Sequence, residues 1–278
     1  MKILLERKTF NHQIRKNTSV LIEILRQRFR KVLSWFVNQP RKEIFPSGNL
    51  ILLADGFWFR FKKEDWVLYL MALKSIKEDK AVILDPILLP EKESYENWNQ
   101  VIETIPREVK TRIKAFVSNN FRASKKLVKK HKWVHQLCHF HLIAQLQIRR
   151  GKRKPSLSGR NIREEIYLAI REALEAPNKQ RLKFLKENLR ILASSPECPR
   201  KLKMITNEFL KELKRYHAYL IYPHLHLPPT TNALEVRGRI IREICKRINR
   251  PKALFLWATA ITRLRPTITC NGNKNQQN

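Results

Sequence analysis

Three consecutive apolar segments constrain the fold of this 278-residue chain more than any other feature. The segments LILLADGFWFRF (50–61), WVLYLMALKS (66–75) and AVILDPILL (81–89) are rich in aliphatic, β-branched and aromatic residues, and the charged sequences KKED and KEDK separate them. Apolar runs of this length that end at polar turns are typical of β-strands. The sequence therefore predicts a meander of three strands.

Helices are predicted both before and after the meander. Apolar residues recur at helical spacing from Thr18, a predicted N-cap, to just before Pro40. After the meander, strand-like and helical segments alternate, which predicts a mixed α/β fold. The predicted order is a helix over 95–105, a strand over 113–120, a helix over 123–131, a strand over 132–138 and a helix over 139–150.

The second half of the chain is mainly helical. A polar break at 151–160, GKRKPSLSGR, precedes a block whose joints are marked by prolines. The closing sequence CNGNKNQQN is polar throughout and predicts a disordered tail. Between the break and the tail, helices are predicted over 161–175, 178–193, 199–221, 232–248 and 251–264.

A large positive charge indicates a polyanionic partner. The chain has 57 Lys and Arg against 24 Asp and Glu, a formal net charge of +33, distributed as +8 over 1–47, −3 over 48–106 and +28 over 107–278. Nucleic acid is the favoured explanation for so much self-repelling charge, and a solvated basic surface is the alternative. The best phosphate-binding candidates are Lys125, Lys126, Lys129, Lys130, Arg149, Arg150, Lys152, Arg153, Arg237 and Arg239.

Composition excludes several classes of protein. With 43% hydrophobic residues the chain can build a core, so wholesale disorder is excluded. Its four cysteines form no C-x-x-C pair, which excludes a disulfide scaffold and a conventional zinc ribbon. No apolar run reaches the ~20 residues that span a bilayer, and no signal peptide begins the chain. We therefore expect a soluble, cytoplasmic or nucleoid-associated protein without a membrane partner.

Two acidic residues, Asp55 and Glu235, are candidate functional residues. Asp55 stands at the end of an otherwise apolar strand segment, next to Gly56, where strands meet solvent and where a carboxylate is costly unless it has a partner such as a metal ion. Glu235 opens a basic helix after the sequence PPTTNAL. Each has an ordinary alternative role, since Asp55 suits a turn and Glu235 suits the positive end of a helix dipole.

The order of these motifs resembles that of the DDE transposases of insertion sequences and Mutator-like elements. The resemblance runs from about residue 48 to residue 266 and rests on LLADG, FVSNN, LCHFH and PPTTNALE. Its most specific parts are C-x-x-H from Cys138 to His141 and T-T-N-x-x-E from Thr230 to Glu235. It implies a ribonuclease H-like core in which three carboxylates hold two Mg²⁺ ions that serve DNA strand cleavage and strand transfer.

The resemblance also divides the chain into segments. A basic helical segment would occupy 1–47, the first part of the core 48–141, an all-helical insertion 142–225, the closing helices of the core 226–266 and a disordered tail 267–278. The 49 residues before Leu50 are too few for the DNA-recognition module that such enzymes carry upstream, so we expect an N-terminally truncated element. The implied partners are double-stranded DNA, as element ends and target, and further copies of the chain, because transposition pairs two ends.

One position departs from the family pattern. Asp55 matches the first catalytic carboxylate and Glu235 the third, but Asn119 stands where the family has its second aspartate. Loss of one negative charge should weaken metal binding, so the sequence predicts poor cleavage. Asp85 is a candidate substitute, although a turn carboxylate is the favoured interpretation. The alternatives are a non-catalytic DNA-binding protein derived from a transposase and, disfavoured by T-T-N-x-x-E, a ribonuclease H-like nuclease or resolvase.

A zinc site is a further hypothesis. Cys138 and His141 provide half of a tetrahedral site, and His217, His224 or His226 would have to complete it. The favoured interpretation is that Cys138 and His141 are packed residues with hydrogen-bonded side chains.

Overall fold

The computed structural model describes residues 19–41, 45–151, 159–175, 178–246 and 248–270. Within them the chain forms two compact units, the first made of 19–113 and 232–270 and the second of 114–231. No helix in these ranges combines the length and the apolar character needed to cross a membrane. Lys152, Arg153 and residues 271–278 of the predicted tail lie outside the described residues.

The described residues contain strands β1 (Leu50–Phe61), β2 (Glu64–Ser75), β3 (Lys80–Ile83), β4 (Ile87–Pro90), β5 (Ile113–Ser118), β6 (Val134–Leu137) and β7 (Thr267–Thr269). The helices that they contain are α1 (Ser19–Asn38), α2 (Tyr95–Glu103), α3 (Arg107–Lys110), α4 (Ser124–His131), α5 (His139–Arg150), α6 (Arg160–Glu175), α7 (Lys179–Ser194), α8 (Arg200–Tyr216), α9 (Ala218–Ile221), α10 (Asn232–Cys245) and α11 (Pro251–Leu264).

An antiparallel meander forms the sheet of the first unit. Strands β1 and β2 pair along their whole length, from Leu50 opposite Ser75 to Phe61 opposite Glu64. The third predicted strand divides into β3 and β4, which both pair with β2. The interruption falls at Pro86, which has no N–H group to donate to a ladder.

The prediction of a disordered tail over 267–278 is wrong for its first residues. Residues 267–269 form β7, which pairs antiparallel with β3 and places Ile268 opposite Ala81. The pairing covers the outer edge of β3, and an edge of unpaired N–H and C=O groups favours such an addition. Cys270, the next residue, is buried.

Helix α1 packs on α11 within the first unit, in agreement with the predicted N-terminal helix. Leu33 and Val37 of α1 are buried in one cluster with Ala260 of α11. The rings of Phe29 and Trp257 stack with their centroids 5.3 Å apart.

The second unit begins with a parallel β-α-β arrangement. Strands β5 and β6 pair in parallel, and α4 connects them. Helices α5 to α8 follow and share one apolar core, which includes Leu146, Ile170, Leu189 and Phe209. The predicted helix over 199–221 ends at Tyr216, because His217 leaves the helical conformation and its ring contacts the carbonyl of Ala173 at 2.8 Å.

The protein is therefore mixed α/β, as the sequence predicts. An antiparallel meander, a parallel β-α-β arrangement and a helical block follow one another along the chain, an order consistent with a ribonuclease H-like core. The compact units divide after residue 113, whereas the predicted core continues to 141.

Candidate functional site

Asp55 is a deeply buried carboxylate in the middle of β1 and not at a strand end as predicted, because β1 continues past it to Phe61. It lies opposite Leu70 of β2 and is 1% exposed. The N–H of Gly56 donates to its Oδ1 at 3.0 Å. A carboxylate at this depth is costly unless other groups compensate its charge, which is a reason to search for a ligand here.

Glu235 meets Asp55 from a distant part of the sequence. It lies in the first turn of α10 and is half-buried. A carboxylate oxygen of Glu235 and one of Asp55 lie within 4.8 Å of each other. Two negative charges this close repel each other, whereas a hard divalent cation prefers such oxygen ligands. Asp55 and Glu235 therefore form a candidate divalent-cation site.

Gly238 fixes the position of α10 on β1. A Cβ atom at Gly238 would lie only 1.9 Å from Cε1 of Phe57, which is itself buried. The backbone of α10 therefore packs directly on the Phe57 ring. Gly238 lies one helical turn after Glu235, and Phe57 lies two residues after Asp55. Gly238 was not among the predicted site residues, although a glycine inside a helical pattern is a signal of close packing.

Arg237 and Arg242 connect α10 to neighbouring elements of the first unit. Arg237 is buried and donates to the carbonyl oxygens of Arg265 at 3.0 Å and Ile261 at 3.5 Å. Burial lowers the pKa of Arg237, and the charge of Arg265 lowers it further. The guanidinium of Arg242 lies 4.9 Å from the centre of the Phe57 ring. Arg237 thus has a structural role that leaves it poorly placed to meet a phosphate.

Asn119 lies just beyond the end of β5 and is half-buried. Its Oδ1 accepts a hydrogen bond from the N–H of Phe121 at 3.2 Å, as in an Asx turn. Its neighbour Asn120 donates to Oε1 of Glu208 at 2.7 Å. The amide of Asn119 thus organises its own turn.

A buried histidine supports this turn. The guanidinium of Arg215 donates to Nδ1 of His135, so Nε2 carries the ring proton and donates to Oγ of Ser118 at 3.0 Å. Ser118 in turn donates to the carbonyl of Asn119 at 2.9 Å. Burial lowers the pKa of His135 well below its ordinary value, and the charges of Arg215 and Lys125 lower it further. The ring is neutral and serves as a fixed link in the second unit.

The structure favours packing over zinc at Cys138. This residue is the N-cap of α5, and its sulfur accepts hydrogen bonds from N and Oγ1 of Thr231, both at 3.2 Å. Burial raises the pKa of Cys138, but hydrogen bonds from His141 and Thr231 outweigh it and lower the pKa overall. Among the described residues, Cys138 belongs to no group of three metal-ligating side chains.

Asp85 is a structural ion-pair residue rather than a substitute ligand. It accepts hydrogen bonds from Arg41 at 2.8 Å and from Nε of Arg263 at 3.0 Å. Arg263 also donates to the carbonyl of Val37 at 2.6 Å, which joins α1 to α11. Burial raises the pKa of Asp85, but the hydrogen bonds from Arg263 and Arg41 outweigh it and lower the pKa below its ordinary value.

We expect Asp85→Asn to lower the free energy of unfolding by about 2–3 kcal/mol at neutral pH, because two partly buried guanidinium groups lose their counter-charge. The native carboxylate has a lowered pKa, so its contribution is present above the unfolded pKa of about 3.9 and fades as the pH falls through the folded value. Urea denaturation at about pH 7 and about pH 3 measures both effects. Asp65→Asn, which breaks the looser 3.8 Å pair with Arg60, should cost at most about 0.5 kcal/mol. Equal losses in the two variants would contradict this assignment.

The predicted phosphate-binding residues differ in their surroundings. Arg150 is buried, donates to Glu164 and lies 3.9 Å from the ring centre of Tyr167. Lys125 pairs with Glu212, and Arg149 is half-buried and donates to the carbonyl of Gln145. The exposed members of the set, which remain accessible for the predicted role, are Lys125, Lys126, Lys129, Lys130 and Arg239.

Similarity to known proteins is slight. No protein-family model matches the chain, and no curated protein is significantly similar to it. Among solved structures, NurA bound to dAMP and manganese is 14% identical, with 94% of this chain and 63% of that chain covered and a TM-score of 0.15. NurA with manganese is 12% identical, with 89% and 64% covered and a TM-score of 0.15. This chain thus spans less than two thirds of those chains, and TM-scores this low carry no argument about its fold or function.

Proposed function

We propose that this protein binds double-stranded DNA and a divalent cation as a member of the DDE transposase class. The observation that carries the proposal is the approach of Asp55 and Glu235, whose carboxylate oxygens lie within 4.8 Å although the residues are far apart in sequence. The transposase resemblance gives these two residues the first and third catalytic positions. The net charge of +33 supports a polyanionic substrate.

The proposed chemistry is strand cleavage and strand transfer. A bound divalent cation such as Mg²⁺ or Mn²⁺ would supply Lewis-acid stabilisation of the negative charge that develops on a phosphodiester. Asp55 and Glu235 would hold it, and exposed basic residues such as Lys129 and Arg239 would hold the DNA backbone. Because Asn119 stands at the second position, we propose weak cleavage activity in the protein as it is.

A second candidate is a DNA-binding protein that has lost catalysis. Its specific support is Asn119, whose amide oxygen accepts the N–H of Phe121 and contributes no charge. The two candidates share DNA binding and differ in metal-dependent nicking and joining of a duplex, so an assay of these reactions separates them.

Removal of either carboxylate should weaken metal binding. We expect Asp55→Asn and Glu235→Gln each to lower the affinity for Mn²⁺ by about tenfold or more, since each removes one of two anionic ligands. Isothermal titration calorimetry measures the affinity directly. Glu243→Gln is the matched control, because Glu243 lies exposed on the same helix and pairs with Lys246 at 3.0 Å. A loss of affinity in the control as large as in Glu235→Gln would count against the site.

A further inference from the structure

The tip of the β1–β2 hairpin has an unusual composition. Lys62 and Lys63 form the turn between Phe61 and Glu64, and both have positive φ, 48° and 74°. Two-residue turns of this kind favour Asn and Gly, because a Cβ atom strains left-handed backbone. Two lysines therefore occupy positions that the backbone alone does not favour, and strain of this kind clusters at functional sites.

A basic pocket opens beside this tip. It has a volume of about 320 Å³ and is lined by Arg60, Phe61, Lys62, Ile248, Asn249 and Arg250. The hairpin provides the first three residues, and the connection from α10 to α11 provides the others. Among the described residues, no acidic side chain lines the pocket, and Asp65 pairs with Arg60 at 3.8 Å. Three cationic side chains thus surround one cavity within the first unit.

We propose that this pocket binds a backbone phosphate of a DNA strand. Guanidinium groups match the geometry of phosphate oxygens, and a lysine adds a point charge. The amide of Asn249 offers a further hydrogen bond. The inference rests on the proposed DNA-binding function and adds to it a contact at the hairpin tip, because Arg60 and Lys62 are not among the predicted phosphate-binding residues.

The position of the pocket relative to the carboxylate pair supports DNA as the occupant. Strand β1 leads from Asp55 to Phe61, and α10 runs beside it, in contact at Phe57 and Gly238. The rise per residue of a strand or a helix places the pocket about 15–20 Å from the carboxylates. This distance corresponds to about five base pairs of a duplex. A duplex with one phosphate at the carboxylate pair and at least this many further base pairs can therefore place another phosphate in the pocket.

The charged face of α10 lies along this path. Arg239 and Arg242 are exposed and three residues apart, so they share one side of α10, and Lys246 follows directly after the helix ends. Glu243 neutralises part of this charge through its pair with Lys246. The pocket is thus one end of a basic strip that leads from the carboxylate pair.

The test compares two double variants of equal charge. Lys62→Gly with Arg250→Gln removes two cations from the pocket, whereas Lys63→Gly with Lys252→Ala removes two cations from the same turn and the same helix start outside it. Glycine suits the positive φ at either turn position, so neither variant should melt earlier than the natural protein. Arg250 makes no side-chain capping bond at α11, so its replacement leaves the helix start intact.

The measurement is the affinity for a fluorescein-labelled DNA duplex at several salt concentrations. We expect the pocket variant to bind about tenfold more weakly, with a salt slope smaller by about one, as loss of a phosphate contact requires. The control variant should change affinity by less than about threefold.

Each other outcome overturns a specific claim. If the natural protein shows no salt-dependent binding to the duplex, both the proposed function and the pocket fail. If it binds and the two variants weaken binding equally, only the pocket assignment fails. If inorganic phosphate raises the melting temperature of the natural protein but the pocket variant binds the duplex with unchanged affinity, the pocket is a site for small phosphates and not for DNA.

Discussion

Asn119→Asp is expected to raise metal-dependent DNA cleavage by about a hundredfold, the scale on which a single group that stabilises developing charge acts. The transposase resemblance gives position 119 to the second of three carboxylates, and an amide there removes one negative charge from a site built for cations. The local structure tolerates the change. Aspartate is the same size as asparagine, and its carboxylate can accept the N–H of Phe121 that Oδ1 accepts now.

The measurement is the rate of Mg²⁺- or Mn²⁺-dependent nicking and joining of a duplex by the natural protein and the variant. Asn120→Asp is the matched control, because it adds the same charge one residue later, where the side chain faces Glu208 instead. Adding Glu235→Gln to Asn119→Asp should abolish the gain. Rapid strand transfer by the natural protein, or no gain in a folded Asn119→Asp variant, would contradict the prediction.

Gly238→Ala is expected to lower the free energy of unfolding by about 3 kcal/mol or more, at the upper end of the range for overpacked cores. The sign is diagnostic, because the same substitution inside an ordinary helix raises stability by about 1 kcal/mol. Here the new Cβ would lie 1.9 Å from Cε1 and 2.2 Å from Cζ of Phe57, so α10 or the ring must move. Displacement of α10 also moves Glu235 and should weaken Mn²⁺ binding.

Urea denaturation and titration calorimetry check the two effects of Gly238→Ala. Phe57→Leu removes the ring atoms that clash, so it should recover part of the loss when it is combined with Gly238→Ala. Val236→Ala, at an exposed position of the same helix, should change stability by less than about 0.5 kcal/mol. Additive losses in the Phe57→Leu and Gly238→Ala pair would show that the contact is not the cause.

Local pattern was sufficient to predict most of the secondary structure. The first strand over 50–61 and the helices over 139–150 and 251–264 agree with the structure residue for residue. The strand is an apolar run that ends at a charged turn, the first helix ends before Gly151, and the second begins at Pro251. The mixed α/β class followed from the order of these elements. Where a single residue interrupts a pattern, prediction was weaker: Pro86 divides the third strand, and His217 ends a predicted helix early.

Pairings between distant residues required the tertiary structure. Residues 267–269 are β-branched, but three residues are too few to predict a strand, and the open edge of β3 provides their pairing partner. The sequence alone did not distinguish Arg237 and Arg150, which are buried and bonded internally, from Arg239, which is exposed. Charge predicts that arginines meet anions, but burial decides whether the anion can come from outside.

The sequence and the tertiary structure each contributed a part of the evidence for the carboxylate pair. The sequence marked Asp55 and Glu235 only through motifs that resemble those of DDE transposases, and the same resemblance marked Asn119 as the departure. The tertiary structure decided that Asp55 and Glu235 meet, because α10 packs on β1 through a contact that only a glycine at 238 permits. It also decided that Arg60, Lys62 and Arg250 surround one pocket, because a hairpin tip and a helix connection become neighbours only when strand and helix lie side by side.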